Sequence, residues 1–94
     1  MTGVDETTLE IVRKLKGAAL PEDAVLLAFG SRVYGEPKKL SDLDVAVKNA
    51  SKENLQQFAE YLAVAPTVVR VDASRYEDLP EWLRLIIDEK GVAI

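Results

Sequence analysis

The stretch "AFGSRVYGEPKKLSDLDVAV", residues 28–47, constrains the chain more than any other. A Gly-Ser pair, Gly30-Ser31, is followed after ten residues by Asp42-Leu43-Asp44. The first element ends the continuous apolar run "AVLLAF", which has strand length and the look of a strand buried on both faces. The second opens "DLDVAVK", where Leu43, Val45 and Val47 alternate with Asp42, Asp44, Ala46 and Lys48, a half-buried strand. Carboxylates at i and i+2 of a strand share a face, about 6–7 Å apart at Cα, so their oxygens can converge on one or two cations. A glycine after a strand lets a phosphate approach the backbone, the Ser31 hydroxyl and the amides after it can donate to phosphate oxygens, and Arg32 adds fixed positive charge. Lys38 and Lys39 beside Pro37 read as a solvated loop pair, the alternative being that they steer an anion toward the site.

Composition narrows which cation. The chain of 94 residues has no cysteine and no histidine, so disulfides, thiolate sites and imidazole chemistry are excluded, and an oxygen-only ligand set favours Mg²⁺ over Zn²⁺. Its length, with 48% hydrophobic and 30% charged residues, fits a single domain over residues 1–94 with one core. The net charge of −4, with acids and bases interleaved and no run of five like charges, argues against direct nucleic-acid binding. No apolar run approaches a membrane span and "MTGVDETTLE" lacks signal-peptide character, so a cytoplasmic location is expected.

Around the motif, Leu9, Val12, Leu15 and Ala19 predict an amphipathic helix over residues 5–17. Pro21 and the acidic pair after it predict a turn. Ser51 reads as the N-cap of a second helix with Leu55, Phe58, Ala59 and Leu62 on its apolar face. "TVVRVDA" reads as a third strand. Pro80 opens a further helix with Trp82, expected in the core, and Gly91 caps it before a short strand, "VAI". This order implies an α+β fold: a small mixed β-sheet with helices packed on one face, and Asp42 and Asp44 on the open face.

The chain resembles the minimal nucleotidyltransferases of the DNA polymerase β superfamily, on "GSRVYGEPKKLSDLD", on the helix before the first strand, and on the ending "LPEWLRLIIDEKGVAI". The resemblance implies the polymerase β palm-like nucleotidyltransferase fold. It also implies that Gly30, Ser31 and Arg32 hold the triphosphate of ATP or another nucleotide, that Asp42 and Asp44 bind Mg²⁺, and that a third carboxylate on the next strand helps deprotonate the attacking hydroxyl. In the family this strand often reads "VDLVDL". Laid on "VVRVDA", that pattern puts Val69 in the catalytic slot, and the base is missing. Strand parity gives another register, with Val69, Val71 and Ala73 on the apolar face and Val68, Arg70 and Asp72 on the other. Asp72 is then the third catalytic and metal-binding residue, and Arg70 beside it can bind phosphate or replace a metal charge.

By the same resemblance the partner is a small helical HEPN-family toxin, forming a homo- or hetero-oligomer. The chain is its antitoxin, moving AMP from ATP to a toxin tyrosine. A chain this short is expected to take its acceptor from that partner. The rival is a binding subunit that keeps the fold and the partner without catalysis, which the Val69 register favours. A small-molecule transferase like the antibiotic-modifying enzymes of the superfamily is a third reading, disfavoured because those carry extra domains or dimer contacts.

Overall fold

The structure is a computed structural model that describes residues 6–30, 43–67 and 70–94. Helix α1 (Glu6–Ala19) carries Glu6 in its first turn and Lys16 in its last, both favourable to the helix dipole. It runs slightly past the expected boundary, and the residue before Pro21 is biased away from helix. Strand β1 (Val25–Phe29) pairs antiparallel with β2 (Leu43–Lys48). Helix α2 (Lys52–Ala63) then crosses over so that β3 (Val71–Arg75) can lie parallel to β2. A single 3₁₀ turn, Tyr76–Asp78, leads to α3 (Glu81–Lys90), and β4 (Val92–Ala93) pairs antiparallel with β1. The described sheet has the order β3-β2-β1-β4.

Ser51 caps α2 as its position suggested. Its hydroxyl accepts from the Asn54 amide at 3.0 Å, and the Asn54 side chain accepts from the Ser51 amide in return. Beneath α1 and α2, Val12, Phe58 and Leu62 meet Leu26, Ala28, Leu43, Val45, Val47 and Val71 of the sheet. Val12, Leu26, Leu43, Val45, Val47 and Phe58 are fully shielded from water.

The mixed sheet and α+β class are as the sequence implied. Helix placement differs in one respect, because α3 packs on the face opposite α1 and α2. There Ile87 and Leu83 cover Phe29, Leu27 and Ala46. Ala46, read as solvent-facing with the aspartates, is fully buried. The reason was already in "AVLLAF": a strand apolar on both faces needs a cover on both. Trp82 also departs from expectation. It is 64% exposed, beside Leu85 at 61%, because Leu83 and Ile87, one helical turn apart, take the inward face instead.

The Tyr76 hydroxyl ties the 3₁₀ turn to α3 by donating to the Asp88 carboxylate at 2.7 Å and 2.8 Å. The Lys48 ammonium sits 4.3 Å from the Tyr76 ring centre and 3.9 Å from Asp88 Oδ1. The hydrogen bond to Asp88 holds the Tyr76 phenol above its ordinary pKa, aided by desolvation and by the Asp88 charge. Among the described residues, no helix is long and apolar enough to cross a membrane.

Two outcomes follow from this packing. Phe58→Ala should lower unfolding free energy by about 3–5 kcal/mol, measured by urea denaturation, because it empties a fully buried site. A raised phenol pKa means that the neutral form is the one bound in the fold. The Tyr76 contribution should therefore be complete below the unfolded value near 10 and vanish as pH rises through the folded value. Thermal denaturation of the wild type and Tyr76→Phe should differ at pH 8 and converge at strongly alkaline pH.

Candidate active site

The ladder registers place Phe29 beside Asp44 and Asp44 beside Asp72, forming one row across β1, β2 and β3. Residues paired across neighbouring strands share a face, so the two carboxylates stand side by side, with strands about 4.8 Å apart. Helix α3 covers Phe29 at the β1 end of this row, and Leu27 and Ala46 in the next row along the strands. Asp72, at the β3 end of the row, keeps a partly exposed side chain. The face of the carboxylates is set by Leu43, Val45, Val47 and Val71, whose burial on the opposite side leaves Asp44 and Asp72 no other direction.

Gly30 follows Phe29 directly and has φ of +90°, a conformation that L side chains rarely adopt. A Cβ there would sit 2.6 Å from Asp44 Oδ2. Two demands thus require glycine: the turn out of β1, and the approach of its backbone to the Asp44 carboxylate.

Arg70 and Asp72 form an ion pair, Nη2 to Oδ1 at 3.5 Å, with the Asp72 side chain 46% exposed. Neighbouring carboxylates repel, and a cation between or beside them relieves that repulsion. Hard oxygen donors side by side, in a chain without histidine or cysteine, suit Mg²⁺. Among the described residues no group of three such donors is assembled.

Of the residues singled out from sequence, the structure brings Gly30, Asp44 and Asp72 together, with Arg70 at the edge. Ser31, Arg32, Lys38, Lys39 and Asp42 lie outside the described residues, as does Val69 of the competing register. Sequence reasoning missed a groove of about 580 Å³ beside Asp72, between β3 and the C-terminal half of α2. Ala59, assigned to the apolar face of α2, is exposed and lines this groove instead. The available signal was the run of small residues at Ala59, Ala63 and Ala65, too short to fill the space beside a strand.

The family model of the nucleotidyltransferase domain matches residues 6–92. The chain therefore belongs to the nucleotidyltransferase domain family, within the DNA polymerase β superfamily, whose general chemistry is transfer of a nucleotide. A search of curated proteins finds no match.

Gly30→Ala should cost about 1–2 kcal/mol from backbone strain alone, and more through the contact with Asp44. Thermal denaturation with and without added nucleotide should show lower stability and a smaller nucleotide-induced rise in the midpoint.

Proposed function

We propose that the protein is a Mg²⁺-dependent nucleotidyltransferase that moves AMP from ATP to a tyrosine hydroxyl of a small helical HEPN-family partner in the cytoplasm, acting as its antitoxin. The observation that carries the catalytic part is the pairing of Asp44 with Asp72 on one face, immediately beside Gly30. The nucleotide assignment rests on family membership, and the partner on the resemblance described above.

In this reading the hydroxyl oxygen attacks the α-phosphorus, the bond from that phosphorus to the bridging oxygen breaks, and pyrophosphate leaves. Asp72, the carboxylate on the strand after the metal-binding pair, accepts the hydroxyl proton. Asp44 and Asp72, with Asp42, would hold Mg²⁺, which when bound supplies charge stabilisation for the developing phosphate oxygens. The Gly30 turn, with Ser31 and Arg32, orients the triphosphate. Trp82 and Leu85 offer an exposed apolar face for the partner to cover.

A second reading, a partner-binding subunit without transfer, is favoured by the Arg70–Asp72 ion pair, since a guanidinium can stand where a cation would otherwise act. Labelled ATP, Mg²⁺ and the protein encoded beside this one distinguish the two. Label should pass to a partner tyrosine, be lost on chelation, and fall about 10²–10⁴-fold in Asp72→Asn. Asp44→Asn should fall at least as far. Absence of transfer, or transfer indifferent to both substitutions, would establish the second reading.

A further inference from the structure

The groove beside Asp72 has an unusual lining. Successive residues of a strand point to opposite faces, yet Arg70 and Asp72 from one face and Val71 and Ala73 from the other border the same hollow. A space reached from both faces runs along the strand's edge. Ala59 and Ala63 of α2 form its far wall.

Hydrogen-bond parity gives this edge a chemical character. The Leu43 amide donates to the Arg70 carbonyl at 2.8 Å, and Asp44 pairs with Asp72 in a parallel ladder. The polar backbone groups of Asp72 and Ser74 therefore turn toward β2, and those of Val71 and Ala73 turn outward. Among the described residues no strand pairs with that side, since β3 ends the sheet.

We propose that this edge binds the acceptor as an extended peptide, added as a strand alongside Val71 and Ala73, so that a hydroxyl side chain of the peptide falls next to Asp72. For the role of the peptide as acceptor the inference rests on the transfer reading above; the binding itself does not. A strand added here lies about 4.8 Å from β3, and its residue opposite Asp72 shares the carboxylates' face. Main-chain pairing supplies affinity that tolerates many sequences, while alternate side chains supply the choice. The alanine wall leaves space for β-branched side chains near the peptide backbone. Arg70 adds charge selection: its side chain is 75% exposed and approaches Asp72 through one nitrogen, so its outward donors suit an acidic residue flanking the hydroxyl. Arg75, at the other end of β3, is already engaged with the Ala50 carbonyl and Asp78. The acidic residue is therefore read at the Arg70 end.

The test uses the full chain and a short fluorescein-labelled peptide of β-branched residues carrying one tyrosine and one glutamate, without ATP. Fluorescence anisotropy should show saturable binding, and amide hydrogen exchange should slow about tenfold or more at Val71 and Ala73 when peptide is present. Ala73→Pro removes an outward N–H while leaving the β2 ladder intact, and should weaken binding about tenfold. Ala63→Trp fills the groove from α2 and should do the same without touching the strand. Replacing the peptide glutamate by glutamine should weaken binding to the wild type but not to Arg70→Gln.

No saturable binding, or binding that leaves the Val71 and Ala73 amides unprotected, would overturn the proposal. So would protection of both amides without peptide, together with a dimer in sedimentation, because a second copy would then occupy the edge. None of these readouts requires transfer, so failure of the transfer assay leaves them standing.

Discussion

Burial of Leu43, Val45 and Val47 beneath α1 and α2 decides which way the rest of β2 faces, and with it the direction of Asp44. Because side chains alternate, a slip of β3 by one residue against β2 would turn Asp72 toward the core and expose Val71. The cost of burying a carboxylate among apolar side chains is far greater than any gain from pairing differently. The hydrophobic core thus specifies the site without touching it. The same burial sets Gly30 beside Asp44, since Phe29 is paired to that row through the β1–β2 ladder.

The second face is divided by α3. Ile87 and Leu83 close the rows around Ala46, and Tyr76, Asp88 and Lys48 fasten the helix at the far end. The cover reaches Phe29 at the β1 end of the carboxylate row and leaves Asp72 at the β3 end partly exposed. The β1 side of the face is closed and the β3 side open, which lets a domain of this size keep a second core cluster and still present a charged group to solvent.

Much of this was legible in the sequence, for reasons that can be located. Gly30 and Asp44 stood out because a glycine ending an apolar strand and a carboxylate on an alternating one are local patterns. Asp72 was reached by parity in "VVRVDA", which needs only the period of a strand. The side taken by α3 was not legible in the same way. Trp82, Leu83, Leu85, Ile86 and Ile87 put apolar groups around most of the helix, so periodicity does not select an inward direction. Only contact with Phe29 and Ala46 does. The groove at Ala59 and Ala63 escaped for a related reason: alanine is compatible with both core and surface, and the hollow belongs to the spacing between two elements.

The pairing of β1 with β4 has a consequence for how the sheet is assembled. Leu27 meets Ala93 and Ala28 meets Val92, partners far apart in the chain, whereas the β1–β2 pairing is closer to home. Contacts of large sequence separation form late, because the loop between them must close first. Until β4 docks, β1 has an unpaired backbone edge, and until α3 packs, Leu27 and Phe29 on its face lack their cover. The C-terminal helix and strand thus act together as the closing step, and the partly folded chain is most exposed to misassociation just before they arrive.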